Sequence, residues 1–350
     1  MNRKYILPFL LLIQIILLQI ISYFPEIIER FYSNGLYLWI SNFSRILFGW
    51  IPFSLGDILY TLLIIWIIKW LYQNRKMNWK QKTIAALSFF SVFYFSFHLL
   101  WALNYHREPL FEKMNIEKDY TDAELLVFTK KLIAKTNQLQ LQITKDKNQK
   151  VAFPYSQEQV FEMNLNGYQN LSKQHSFISY KNPSIKKSLL STPLSYMGFS
   201  GYLNPFTNEA QVNNLGPMFG FPMTTNHEMA HQLGYASESE ANFIGFLASI
   251  KNDDVYIQYS GYSAGLRYCL NNWGIRNEKT FYELRKTIHP GILKNYKENK
   301  DFWKSYESFI ETGFHIFYDN FLKMNQQKDG LESYSKFVNL MVGYYKEKGF

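Results

Sequence analysis

The hydrophobic pattern of this chain changes character near residue 104. Before it, apolar residues form long runs. Tyr5 to Phe24 (YILPFLLLIQIILLQIISYF) carries no charge and is long enough to cross a bilayer as a helix. It ends in Ser-Tyr-Phe-Pro rather than at a small-residue cleavage site, which predicts an uncleaved anchor. A second run spans Asp57 to Leu71, where Lys69 can reach the interface on its aliphatic stem. Thr83 to Leu103 makes a third. Between the first two, residues 25–54 mix charged and aromatic side chains, which predicts an interfacial amphipathic helix and a turn instead of a span.

After residue 104 the pattern is that of a folded domain. Asn104 to Leu110 (NYHREPL) reads as a docking linker. Thr121-Asp122-Ala123-Glu124 is a capping box that opens a helix to about Leu139, with Leu125, Phe128, Leu132 and Thr136 inward. Ser156-Gln157-Glu158-Gln159 opens another, with Phe161, Leu165 and Tyr168 inward. From Leu189 to Met223, Pro and Gly punctuate short extended runs such as Ser195–Phe199 and Glu209–Asn213. The apolar run Ala241–Ala248 is too short to span, and the rest, to Tyr345, reads as packed helices. The expected fold class is α+β and mostly helical. A membrane domain (1–104, spans about 5–24, 57–71 and 83–103) precedes a domain at 105–350 with a small sheet.

Charge adds orientation. The 350 residues carry a net charge of +9, yet the lysines are scattered and no compact basic motif appears, so nucleic acid is not an expected partner. Arg3 and Lys4 precede the first span, and Lys69, Arg75, Lys76, Lys80 and Lys82 fill the loop after the second. The loop between first and second holds only Arg30 and Arg45, with Glu26 and Glu29. By the positive-inside rule the N-terminus is cytoplasmic and the domain after the third span is extracytoplasmic, in a bacterial-type inner membrane. The lipid bilayer is thus an expected partner. Cys269 is the only cysteine, which excludes an intrachain disulfide and a cysteine-type zinc site.

The chemistry concentrates in Thr224–Gly234 (TTNHEMAHQLG), which contains His-Glu-x-x-His. On a helix, residues four apart share a face, so His227 and His231 can point at one metal ion. Glu228 lies about 100° round the helix, beside the metal, where a general base belongs. A zinc enzyme with two histidine ligands needs a third protein ligand and an open position. In Ser237-Glu238-Ser239-Glu240-Ala241-Asn242, Glu238 can supply that ligand from a second helix. Asn242, four residues on, can hydrogen-bond a ligand imidazole.

This pair of segments resembles the gluzincin zinc metallopeptidases, in which His-Glu-x-x-His is followed by a helix bearing Glu-x-x-x-Asp or Glu-x-x-Ala-Asp. The resemblance implies one Zn²⁺ per chain held by His227, His231 and Glu238, with Asn242 behind them. The chain departs from that pattern in having Asn where those enzymes have Asp. Its short spacer after His231 leaves Glu240 as a rival third ligand. Ser237 stands where a metzincin would have its third His. The zincin layout further implies that a strand just before the metal helix lines the cleft and that its exposed edge takes an extended peptide. That role falls on Ala210, Gln211, Val212 and Asn213, with Phe199–Pro205 beside them.

The three spans, NYHREPL, Gly201–Thr207 (GYLNPFT), the histidine motif and Ser260-Gly261-Tyr262 together resemble a bacterial, membrane-anchored family catalogued as a domain of unknown function, for which zinc peptidase activity is the expectation. The expected activity is hydrolysis of a peptide or protein substrate by a water activated at zinc, with Glu228 as general base. Tyr262, Arg267, His289 and His315 are possible oxyanion donors, each also readable as structural. His98 and His106 read as structural. Two other classes stand beside the enzyme: a zinc-stabilised, non-catalytic membrane scaffold, and a metal-free binding or assembly module.

Overall fold

In the computed structural model, which describes residues 3–325 and 334–349, the chain is mostly helical with one small sheet. Among the described residues, three helices are long and apolar enough to cross a membrane: Arg3–Ile21, Leu55–Gln73 and Trp79–Leu100. They follow the three apolar runs. The third ends at Leu100 instead of Leu103 because Ala102–His106 tightens into a 3-10 turn. Ser54 and Asn78 cap the second and third, accepting from the Asp57 and Gln81 backbone nitrogens at 3.0 and 2.9 Å.

Residues 25–54 do more than lie at an interface. They are helical from Pro25 to Gly49, with a π-helical stretch over Ile28–Leu36. One face exposes Phe31, Trp39, Phe43 and Trp50, as an interfacial helix should, while Ile28, Glu29, Tyr32, Tyr37, Ser41 and Arg45 are buried. Asn104–Leu110 docks against the protein: Asn104, Tyr105, His106, Arg107 and Leu110 are buried. One apolar cluster joins Ile28, Tyr32 and Tyr37 to Trp101, Tyr105, Leu203, Ala236 and Leu322, so packing crosses the boundary drawn at residue 104. Arg107 grips both oxygens of Glu29 (Nε–Oε2 and Nη2–Oε1, 2.9 Å each) and donates through Nη1 to the Gly234 carbonyl at 2.9 Å.

The helices Asp122–Thr144 and Gln157–Gln174 open with the expected capping boxes at Thr121/Glu124 and Ser156/Gln159. The first runs past Leu139 because nothing breaks it before Lys145, which turns left-handed at φ 61°. Leu125, Phe128, Leu132, Thr136 and Tyr168 are buried, and Phe161 and Leu165 half-buried. With Phe221–Gln232, Glu238–Ile250 and Val255–Arg276 these helices enclose the main core, which includes Phe128, Leu132, Phe243, Phe246 and Leu266.

The sheet has three strands, β1 (Ile185–Lys187), β2 (Gly201–Asn204) and β3 (Glu209–Val212), in the order β1-β3-β2. β1 runs parallel to β3, and β2 antiparallel. Two expectations need correction. Ala210, Gln211 and Val212 lie in the central strand, buried throughout, with Asn213 just beyond it, so they offer no exposed edge. A buried period-2 run looks the same at centre or edge, and its parallel partner, the three-residue β1, has too few residues to register as a strand. Ser195–Phe199 is not extended: Ser191–Tyr196 is a short helix, followed by Gly198 at φ +80°.

The second apolar helix is bolted to this sheet at its first turn. Glu209 accepts from the Gly56 backbone nitrogen at 2.6 Å. Asp57 accepts from Leu189 N at 2.7 Å, Ser188 Oγ at 2.9 Å and Tyr202 Oη at 2.5 Å.

Candidate metal centre

The helix Phe221–Gln232 begins with Pro222 in its first turn, where the missing N–H costs nothing. It ends at Gly234, whose φ of +84° suits glycine, and whose added Cβ would stand 2.9 Å from both Asn104 Oδ1 and the Tyr37 ring. The chain therefore turns sharply beneath Tyr37 and enters the helix Glu238–Ile250. These two helices approach closely because Gly245 faces the backbone of the first: a Cβ there would lie 2.9 Å from His227 N. That closeness is what brings Glu238 and Asn242 to the histidines.

The Nε2 atoms of His227 and His231 stand 3.0 Å apart. Glu238 Oε2 lies 3.2 Å from His227 Nε2, and its Oε1 lies 3.8 Å from His231 Nε2. Ligand atoms each about 2.0–2.1 Å from one tetrahedral zinc are separated by roughly 3.3 Å, so these spacings fit that ion. The other ring nitrogens are held from behind. His227 Nδ1 meets Asn242 Oδ1 at 3.0 Å, and His231 Nδ1 meets the Tyr235 carbonyl at 2.7 Å. Both acceptors require Nδ1–H, which leaves a lone pair on each Nε2. Two lone pairs and a carboxylate facing one another at these distances suit a shared cation.

Burial would lower the pKa of His227, but Glu238, Glu228 and Asn242 outweigh it and raise it. Burial disfavours ionisation of Glu238, but His227, His231 and the Tyr318 hydroxyl outweigh it and hold the carboxyl down at about 2. Burial and the neighbouring His227 push His231 down to about 4, so its imidazole is neutral. Glu228 behaves oppositely: burial pushes it up to about 8, against the pull of His227 and with the help of Glu238's charge.

Glu228 lies beside this cluster, with a carboxylate oxygen within 4.8 Å of the histidine nitrogens. Its Oε2 is buried without a hydrogen-bond partner. It faces β2, where a Cβ on Gly201 would come 2.6 Å from Glu228 Oε1, so only glycine leaves room for the carboxylate. The side chain of Glu238 keeps 22% of its exposure and that of His227 keeps 14%, so the centre is reachable from outside.

Of the two candidate third ligands, the structure brings Glu238 and leaves Glu240 elsewhere: Glu240 Oε1 accepts from Leu110 N at 2.6 Å. On a helix the two positions diverge by about 200°, and the first happened to face the histidines. Of the possible oxyanion donors only His315 lies on an element of the centre: it sits beside Gly198 on the helix that carries Tyr318. Tyr262 packs on Phe246, Arg267 lies over Tyr268, His289 pairs with Gln140 and His315 with Glu311. His98 bonds the Tyr94 carbonyl of its own helix.

Other neighbours of the centre carry no signal in the sequence. Tyr318 Oη donates to Glu238 Oε1 at 2.5 Å, and Trp101 Nε1 donates to the His231 carbonyl at 3.3 Å. Ser41 Oγ donates to the Gln232 carbonyl at 2.8 Å. They come from distant stretches and have no fixed spacing from the motif.

A family model described as "Protein of unknown function (DUF3810)" matches residues 32–342. No curated protein and no solved structure matches the chain. Since the match takes in the second and third apolar helices, the sheet and both helices of the candidate centre, the chain belongs to this family of proteins of unknown function.

Proposed function

We propose that this chain is a membrane-anchored, zinc-dependent peptidase of zincin-like build, with its N-terminus cytoplasmic and its metal centre outside. The observation that carries this reading is the convergence of His227, His231 and Glu238 on one point, with Asn242 and the Tyr235 carbonyl fixing the rings from behind. When bound, zinc would lower the pKa of a water toward neutrality and polarise the substrate carbonyl.

The chain's own residues do the rest. Glu228, unpaired at Oε2 and close to the ligand atoms, accepts the proton of the attacking water as its oxygen joins the carbonyl carbon. A cation nearby would lower its pKa from the raised value, leaving it ionised for that task. Glu228 then passes the proton to the amide nitrogen as the C–N bond breaks.

The edge assigned to the substrate backbone is the start of β2, where Gly201 and Tyr202 are half-buried while Leu203 and Asn204 are buried. Asn213 N donates to Ser200 O at 2.9 Å. By the alternation of antiparallel pairs, Gly201 and Leu203 then turn their N–H and C=O groups away from β3. Gly201 is also the residue packed against Glu228.

A purely structural zinc site would need a fourth protein ligand, and Glu228 is the nearest carboxylate for that place. Elemental analysis of the full-length chain in detergent, with His231→Ala and Glu228→Gln beside the wild type, separates the readings. One zinc in wild type and in Glu228→Gln, lost in His231→Ala, with peptide cleavage in wild type only, is the expected result. Loss of zinc in Glu228→Gln would favour the scaffold. No zinc in folded wild type after metal is added back would favour the binding module.

A further inference from the structure

The helix Phe309–Met324 has two unlike faces. One looks into the protein: Leu322 is buried in the cluster with Tyr37, Trp101 and Tyr105, and Tyr318 reaches Glu238. The other exposes Phe309 (87%), Ile316 (61%), Phe317 (63%) and Met324 (85%), with Ile310 beside them. At 100° per residue these five fall within an arc of about 120°, interrupted only by Gly313 and Asn320. Thr312, Asp319 and Lys323 line its flank, the last two as an ion pair at 2.7 Å. At 16 residues the helix is too short to cross a bilayer, and its pattern is that of a helix lying in an interface.

Its place in the fold says what covers the apolar face. Phe321 packs 6.1 Å from the ring of Phe97, in the last turn of the third apolar helix, and 6.1 Å from Tyr105 just beyond it. Phe321 lies at the border of the exposed arc, next to Ile310, so that face begins beside the outer end of a helix proposed to span the membrane. We propose that Phe309, Ile310, Ile316, Phe317 and Met324 rest in the outer leaflet of the bilayer, so that lipid is the partner of this helix. The inference rests on the membrane reading of the three long helices. It also means that the helix holding Tyr318 on the candidate third ligand is itself seated on lipid.

The test is fluorescence quenching by spin-labelled lipid in the full-length chain, reconstituted in vesicles of phosphatidylcholine and phosphatidylglycerol. Cys269 is buried, so a nitrobenzoxadiazole label can be directed to Phe317→Cys, to Thr312→Cys on the polar flank, and to Ile65→Cys in the second apolar helix. Unlabelled background is read from wild type. The expected result is quenching at Phe317→Cys comparable to that at Ile65→Cys and several-fold above that at Thr312→Cys. Quenching at Ile65→Cys without quenching at Phe317→Cys overturns the proposal and leaves the membrane reading standing. A blue-shifted but unquenched label at Phe317→Cys also overturns it, and points to a second copy of the chain on this face. No quenching at Ile65→Cys overturns both.

Discussion

Tyr37 and His231 meet across 194 positions of sequence: the Tyr37 hydroxyl donates to the His231 carbonyl at 3.4 Å and to that of Gln232 at 3.1 Å. Those carbonyls belong to the last turn of the motif helix, where that of His231 also accepts from Gly234 N at 2.9 Å and that of Gln232 from Ser41 Oγ at 2.8 Å. The segment between the first two apolar helices thus caps the helix that carries the candidate metal ligands.

Cutting the chain at residue 105 should therefore damage the centre. A 105–350 fragment loses Tyr37, Ser41, Trp101 and the Glu29 partner of Arg107. Arg107, third residue of that fragment, loses both its carboxylate and the segment that buries it. We expect the fragment to unfold well below the full chain in thermal scans and to bind zinc more weakly. Equal melting and equal affinity would show that the cap is dispensable.

Asn242 and Tyr318 should act on metal affinity without being ligands. Asn242→Leu removes the acceptor on His227 Nδ1, and Tyr318→Phe removes the donor on Glu238. Partners of this kind are worth about 10–100-fold in affinity. Competition with a chromophoric chelator should show a loss in that range for each, with far-ultraviolet dichroism unchanged.

Gly245→Val is expected to push the two site helices apart, since even a Cβ meets the His227 nitrogen at 2.9 Å. Overpacking of this kind costs about 1–3 kcal/mol. The melting temperature should fall and zinc affinity with it, because Glu238 and Asn242 ride on the displaced helix. Gly313→Val, on the exposed helix with nothing within 4 Å of its Cβ, should leave zinc affinity unchanged and should not lower the melting temperature.

Acid stability should depend on Glu29. Burial alone would raise its pKa, but Arg107 and Lys113 outweigh that and lower it. A carboxyl with a depressed folded pKa adds stability above its unfolded pKa of about 4.3 and loses it as the pH falls through the folded value. Wild type should therefore lose stability below that point, and Glu29→Gln should be flatter there while less stable at neutral pH. Denaturant titrations from pH 3 to 7 check both limbs. Identical slopes would remove Glu29 from the acid response.

Much of this protein could be read from its sequence by local rules. The three apolar helices follow from uninterrupted hydrophobic length, and the helices at 122 and 157 from their capping boxes, because both signals lie within a few residues. His227, Glu228 and His231 share a helix, so a spacing of four was enough to group them. Tertiary structure decided what depends on contacts between distant stretches. Glu238 and Glu240 look alike in sequence, and only the docking of their helix through Gly245 turned one to the histidines and the other to Leu110 N. β3 became the central strand because β1 and β2 flank it, so the edges of the sheet passed to Ile185–Lys187 and Gly201–Asn204. Tyr37, Trp101 and Tyr318 reached the centre by packing of apolar surfaces, which constrains volume and contact but imposes no sequence spacing.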